Sequence, residues 1–140
     1  MTIVVPPAYA NARTLAAGLY EPSVARLFEN ILGEGMTMVD LGANIGYYTL
    51  LASRLVGRSG RVYAFEPDPE NHQYLLRNIV ANGCRNVTVV EKAVYNITGT
   101  MTFLRDPHGA AGFLVQRERE RENTLIILSL SRQSRWMISL

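Results

Sequence analysis

The sequence predicts an α/β fold in which a parallel sheet is flanked by helices. Between residues 36 and 91, short apolar runs alternate with helical stretches that are apolar on one side only. Each break between them carries glycine or proline, and the first apolar run leads directly into a glycine-rich turn. Such alternation is typical of right-handed crossovers between parallel strands.

A helix is predicted ahead of this alternating region. Gly33 and Gly35 would end it. Residues 1–20 show no clear period, so we interpret them as a lead-in segment. The helix is indicated by apolar residues that recur at spacings of three and four, namely Val24, Leu27, Phe28, Ile31 and Leu32.

The alternating region divides into three strands and two helices. The strands are short and apolar, as expected for strands buried on both faces. Pro69 suits the first turn of the second helix. The strands are predicted at residues 36–41, 61–65 and 86–90, and the first helix at 47–56.

The pattern weakens after Glu91. Residues 100–104 resemble a strand, as half of a hairpin whose turn holds Thr98 and Gly99. Residues 117–122 alternate in charge, which favours a solvated helical turn or linker. We therefore predict a cofactor-binding domain at 21–110 and a divergent charged and apolar tail at 111–140.

Composition narrows the classes of protein. Of 140 residues, 48% are hydrophobic and 19% charged, which is typical of a folded domain. The net charge of +2 predicts no nucleic-acid partner. Without a signal-like N-terminus or a long apolar run, we expect a cytoplasmic protein with no membrane contact. Cys84 is the only cysteine, so neither a disulfide nor a cysteine-rich metal site is expected.

The turn at residues 42–46, Gly-Ala-Asn-Ile-Gly, is the first candidate for chemistry. Glycine at the carboxyl end of a strand lets a ligand approach the backbone, because no Cβ intrudes. Asp40 lies at the end of that strand and can accept hydrogen bonds from the turn amides or from a ligand ammonium group.

Glu66 is the second candidate, because it lies 20 residues after Gly46 at the end of the second predicted strand. A carboxylate there can accept both hydroxyls of a ribose. Together, the turn and this carboxylate predict a cofactor that contains a nucleoside.

The identity of the cofactor follows from what the turn lacks. A dinucleotide fingerprint carries a middle glycine that makes room for a pyrophosphate, and here that position is Asn44. No P-loop lysine is present, since Lys92 is the only lysine. S-adenosylmethionine, with a ribose and a charged amino-acid tail, fits better. A nicotinamide-dependent oxidoreductase stays an alternative, which Asn44 disfavours.

A third, weaker signal follows the third strand. There, Glu91, Lys92 and Ala93 would form a loop beside the adenine ring, with Ala93 leaving space and Glu91 accepting from the exocyclic amine. A simple strand end explains the same residues equally well.

These motifs together resemble the FkbM-type methyltransferases over about residues 20–105. The resemblance implies a Rossmann-like, class I methyltransferase sheet, S-adenosylmethionine as cofactor, and methylation of oxygen on a small molecule or sugar. It also implies that Glu21 closes over the cofactor. The matching segments are residues 40–49, 64–69, Asn78 with Asn82, and 92–94.

By that resemblance, the methionine end of the cofactor meets the turn and Glu66 holds the ribose. Ala43 and Pro67 lie within the same two motifs and belong to the predicted site. The residues predicted to line the methionine end are Asp40, Gly42, Asn44 and Gly46.

The sequence departs from the family pattern after residue 104. A later strand with the pattern Lys-x-Asp-x-Glu-Gly is missing, which predicts an incomplete C-terminal half of the sheet. The first strand would then be an exposed edge able to self-associate, unless residues 124–130 fold back beside it. A truncated, noncatalytic module that binds cofactor or pairs with a partner is therefore an alternative function. Neither His72 nor His108 is nominated as a catalytic base.

Overall fold

The structure is a computed structural model. It describes residues 1–95, 101–105, 112–116, 126–130 and 136–138, with side chains described for residues 1–94. The helices are α1 (Ala12–Ala16), α2 (Pro22–Ile31), α3 (Tyr47–Leu55) and α4 (Pro69–Ala81). The strands are β1 (Thr37–Leu41), β2 (Arg61–Phe65), β3 (Val87–Val90), β4 (Lys92–Tyr95), β5 (Met101–Arg105), β6 (Gly112–Gln116), β7 (Ile126–Leu130) and β8 (Trp136–Ile138).

Strands β1, β2 and β3 form the predicted parallel sheet in that order. Helix α3 connects β1 to β2, and helix α4 connects β2 to β3. Both helices cover the same face, because Leu50 of α3 and Leu75 of α4 pack together with Ala64 of β2. This arrangement confirms the predicted α/β class and brings the carboxyl ends of the three strands to one edge.

The opposite face of this sheet carries apolar side chains that the described residues leave exposed. Val39 and Leu41 of β1 are 53% and 59% exposed, and their neighbour Tyr63 of β2 is 39% exposed. Strand β1 is hydrogen-bonded only to β2 among the described strands, so it lies at an edge of the sheet as predicted.

The predicted pairing of residues 124–130 with the first strand is wrong. Strand β7 pairs antiparallel with β4, with Ala93 opposite Leu128, and β8 pairs with the other side of β7. Strand β7 therefore belongs to a second sheet, with the order β4-β7-β8, and not to the sheet that contains β1.

Two local predictions for the same region are also wrong. Residues 92 and 93 belong to strand β4, not to a loop. Strand β5 pairs antiparallel with β6, which follows it in the chain, so its partner is not a strand that precedes Thr98 and Gly99. Thr98 and Gly99, like the charged residues 117–122, lie outside the described residues.

The lead-in segment is attached to α4 by two asparagine side chains. The carboxamide of Asn78 accepts from the Val4 amide at 2.6 Å and donates to the Val4 carbonyl at 3.0 Å. Asn82, one helical turn later, makes the same pair of bonds with Thr2, at 2.8 and 2.6 Å. Each carboxamide thus pairs with the lead-in backbone as a neighbouring strand would. None of the helices in the described part of the chain has the length and apolar character needed to cross a bilayer.

We predict that Gly46→Ala destabilises the fold. Gly46 has φ +95°, and a Cβ there would lie 2.5 Å from Cδ1 of Leu75. Left-handed backbone and overpacking together should lower the free energy of unfolding by about 2–4 kcal/mol in urea denaturation. Gly18→Ala is the control, because Gly18 has φ +67° and open space around its Cβ position. Equal losses in the two variants would contradict the role of Leu75.

Candidate functional site

The glycine-rich turn is held against the end of β2 by backbone hydrogen bonds. The amides of Gly42 and Ala43 both donate to the carbonyl of Phe65 at 2.9 Å, and the Gly46 amide donates to the Ala43 carbonyl at 2.8 Å. Gly42 has φ +84°, and Asn44 adopts a left-handed conformation with φ +52°. A Cβ at Gly42 would meet no atom within 4 Å, so this glycine borders open space.

Glu66 joins this turn to the start of α4. One carboxylate oxygen accepts from the Asn44 amide at 2.6 Å, and the other accepts from the Asp68 amide at 2.7 Å. The side chain is only 4% exposed. Burial raises the pKa of Glu66 to about 7, and the two amide hydrogen bonds oppose this shift. The structure therefore brings Glu66 to the turn, as the sequence predicts.

The turn amides are not available to a ligand in the way the sequence suggests. Besides the amides of Gly42, Ala43 and Gly46, the Ile45 amide donates to the Asn44 side-chain oxygen at 2.7 Å. Helix α3 begins at Tyr47 without a side-chain cap. Because the first amides of a helix have no intrahelical partner, the first turn of α3 supplies donors for an anionic group beside the turn.

Asp40 lies on the helix-covered side of β1. One of its carboxylate oxygens accepts from the hydroxyl of Thr49, a buried residue of α3, at 2.5 Å. Burial raises the pKa of Asp40, and the Thr49 hydrogen bond opposes this shift. Each carboxylate oxygen has two lone pairs, so Asp40 retains the capacity to accept from a further donor.

Glu21 stands at the start of α2 in a left-handed conformation, with φ +42°. Its carboxylate accepts a hydrogen bond from the hydroxyl of Tyr48, the second residue of α3. Non-glycine residues in this conformation are uncommon and are concentrated at functional sites. The carboxylate is thus held at the end of α3 that begins beside the glycine-rich turn.

Tyr48, which bonds this carboxylate, packs among other aromatic rings. The ring of Tyr20 lies 5.0 Å from that of Tyr47 in an edge-to-face arrangement, and Tyr48 lies 4.9 Å from Phe28. Tyr47 and Tyr48 are 5.1 Å apart and nearly perpendicular. We call Tyr20, Tyr47, Tyr48 and Phe28 the aromatic cluster.

Tyr9 connects the aromatic cluster with the turn. Its buried phenol donates to the Asn44 side-chain oxygen at 3.3 Å. Its pKa is raised to about 12, first by burial and then by Tyr20, with smaller contributions from the carboxylates of Glu66 and Glu21.

The remaining predicted site residues are placed less directly. Ala43 is buried in the core with Leu50, so its side chain supports the turn and does not face a ligand. Pro67 is half-buried between Glu66 and the residue that caps α4. These two residues shape the site through the backbone.

The loop predicted beside the adenine is reduced to Glu91, because β3 ends at Val90 and β4 begins at Lys92. That Glu91 and Ala93 contact the adenine stays a prediction. Ala93 is 6% exposed within β4. Glu91 is exposed, with a carboxylate oxygen 4.0 Å from Nδ1 of His72. The predicted loop is short because the chain enters another strand immediately after β3 instead of turning away from the sheet.

The sequence analysis assigns no site role to three residues that organise the site, namely Tyr9, Thr49 and Asn78. Asn78 is fully buried, and besides Val4 it bonds the Ile45 carbonyl at 2.7 Å. In the sequence, Asn78 is indicated only by the resemblance to the FkbM-type family. Its spacing of four from Asn82 on one helix face was the available signal. Tyr9 lies in a segment without periodicity, so the sequence offers no signal for its role in the site.

These features define an α/β protein that carries a glycine-rich turn and a buried carboxylate at the carboxyl edge of a parallel sheet. The chain belongs to the methyltransferase FkbM domain family, whose model matches residues 40–129. This match confirms the predicted family and extends beyond residue 105, where the recognisable motifs end.

Similar curated proteins include methyltransferases. A protein-L-isoaspartate O-methyltransferase of Methanococcoides burtonii is 39% identical over 57 residues, which cover 41% of this chain and 28% of that relative. The chain thus spans less than a third of that protein's length.

Solved structures resemble the same region. A candidate rRNA methylase of Clostridium thermocellum matches with a TM-score of 0.50 and 22% identity, over 51% of this chain and 39% of that one, which supports the fold. M. jannaschii TYW2, solved in complex with AdoMet, matches with a TM-score of 0.45 and 30% identity, over 49% of this chain and 31% of that one.

We predict that Asn78→Ala lowers the free energy of unfolding by about 2–4 kcal/mol, because it leaves the Val4 amide and the Ile45 carbonyl without their buried partner. Asn82→Ala is the matched control on the same helix, with less buried hydrogen bonds to Thr2. Urea denaturation measures both. A loss at Asn82 as large as that at Asn78 would show that the Ile45 contact contributes nothing.

Proposed function

We propose that this chain binds S-adenosylmethionine at the carboxyl edge of β1 and β2 and takes part in methyl transfer to a hydroxyl group. The observation that carries the proposal is the buried carboxylate of Glu66 against the Asn44 amide, beside the open space at Gly42. A turn without side chains and a carboxylate with spare lone pairs fit an adenosyl ligand.

Each polar part of the proposed cofactor has a hydrogen-bonding partner in the protein. Glu66 accepts hydrogen bonds from ribose hydroxyls, because each of its oxygens retains a lone pair beyond those used by Asn44 and Asp68. Asp40 accepts from the ammonium group. The uncapped first turn of α3 donates to the carboxylate.

When bound, S-adenosylmethionine supplies an electrophilic methyl group on a sulfonium. The protein's part in such a transfer is to hold donor and acceptor in line and to limit their motion. The aromatic cluster adjoins the start of α3 and offers flat apolar faces together with the Glu21 carboxylate. Aromatic faces beside a hydrogen-bond acceptor suit a small hydroxylated molecule or a sugar.

Several finer points stay predictions. They are the hydroxyl acceptor itself, the cytoplasmic location, the self-association through β1 and the domain limits at residues 20 and 110. Because similar proteins are named for protein and rRNA substrates, the experiment below also includes a peptide and RNA as acceptors.

Isothermal titration with S-adenosylhomocysteine tests cofactor binding, and NAD tests the nicotinamide alternative. We expect binding of the first ligand and none of the second. Transfer of a labelled methyl group is then measured with hydroxylated small molecules, sugars, an isoaspartyl peptide and RNA. Label on a sugar or small-molecule hydroxyl supports the acceptor class. Binding of NAD alone would refute the cofactor, whereas S-adenosylhomocysteine binding with no methylated acceptor favours the noncatalytic module.

Affinity for S-adenosylhomocysteine should depend on pH through Glu66. In the free protein its raised pKa of about 7 means that the contribution of Glu66 to stability is full below pH 4.5 and is lost as pH rises through 7. Ribose hydroxyls donate to the ionised form. Affinity should therefore fall roughly tenfold between pH 8 and pH 6, with proton release on binding.

The variant Glu66→Gln should bind more weakly at pH 8 and lose this pH dependence. Glu29→Gln, which removes an exposed carboxylate from α2, is the control and should behave as wild type. Titrations in two buffers of different ionisation enthalpy measure the proton release. An unchanged pH profile in Glu66→Gln would remove Glu66 from the site.

A further inference from the structure

We propose that a second cavity, at the opposite end of the parallel sheet from the cofactor site, binds a small phosphorylated molecule. The cavity has a volume of about 720 Å³. It is bordered by Arg61, the first residue of β2, by Asn86, directly before β3, and by the ends of α3 and α4. Glu66 and the glycine-rich turn lie at the other ends of these strands, so the two sites share no residue.

The lining of this cavity is strongly positive. Arg54, Arg58, Arg61 and Arg85 contribute to it, and none of its lining residues is acidic. Among residues 1–94, no carboxylate lies within 4.0 Å of these four guanidinium groups. Glu34 packs against Gly57 at the border of the cavity, so the four arginines outnumber the acidic side chain beside them. Like charges around one cavity repel each other, and a multivalent anion would relieve that repulsion.

The floor beneath the arginines is rigid and fully hydrogen-bonded. The Ser53 hydroxyl donates to the Asn86 side-chain oxygen at 2.6 Å, while the Asn86 amide group donates to the carbonyls of Ser53 at 3.0 Å and Gly57 at 2.7 Å. Both side chains are buried. At Gly60, a Cβ would lie 2.5 Å from Val56, so the connection between α3 and β2, which carries Arg58, is closely packed.

The chemistry of the lining favours phosphate. A guanidinium group presents parallel donors that match two phosphate oxygens, and it stays charged at every physiological pH. The volume lies within the range of small-molecule cavities, which favours a compact ligand with two or more phosphates over an extended nucleic-acid strand. The Ser53 and Asn86 groups at the floor bond each other, so recognition rests on the arginines.

The test uses the full chain, with inorganic tripolyphosphate, ATP and a 20-nucleotide single-stranded RNA as probes in isothermal titration. The variant Arg54→Gln/Arg58→Gln removes two charges from the cavity. The control Arg26→Gln/Arg77→Gln removes two exposed charges from α2 and α4 outside it. We expect tripolyphosphate or ATP to bind wild type and the control equally, and the cavity variant about tenfold or more weakly, because charge-assisted bonds are lost.

A second variant separates charge from geometry. Arg54→Lys/Arg58→Lys keeps the charge but loses the paired donors, so we expect an intermediate affinity. S-adenosylhomocysteine affinity should be unchanged in all variants, which distinguishes failure here from failure of the cofactor site. Equal weakening in the control, absence of phosphate binding to wild type, or RNA binding tighter than either small probe and dependent on Arg54 and Arg58 would overturn the proposal.

Discussion

The Glu66 carboxylate joins two parts of the chain that the rest of the site depends on. It accepts from the Asn44 amide in the glycine-rich turn and from the Asp68 amide, where α4 begins. Burying a carboxylate is costly, and here two backbone donors offset that cost without removing it, which is why its pKa rises towards 7. A ligand that adds further donors would favour the ionised form, so the same burial that strains the free protein prepares it for hydroxyl groups.

Hydrogen bonds between side chains and backbone also hold the lead-in segment in place. Asn78 and Asn82 offer one acceptor and one donor each to the backbone of residues 2–4, and Asn78 extends this to the Ile45 carbonyl. Tyr9 then reaches the Asn44 side chain. A segment without periodicity is thereby attached to α4 and to the turn by side-chain hydrogen bonds.

Much of the fold could be predicted because its signals are local. The three parallel strands, α3, α4 and the Pro69 start of α4 each follow from periodicity and from glycine or proline at the breaks. The pairing of β7 with β4 could not be predicted in this way. The apolar pattern of β7 indicates a strand, but which strand it pairs with depends on which sheet edge lies beside it in the folded chain. For the same reason, Ala93 reads equally as a loop residue or as a buried strand residue until its neighbour Leu128 is known.

By itself, the sequence determined that an acidic residue would end β2 and that a turn of small residues would follow β1. The spacing of those motifs also determined the family, whose model matches residues 40–129. Only the tertiary structure decided how their hydrogen bonds are used: most turn amides bond within the protein, and the Glu66 carboxylate bonds the turn itself. The reason is that spacing fixes which strand end a residue occupies, whereas the direction of an amide depends on backbone angles set by all the contacts around it.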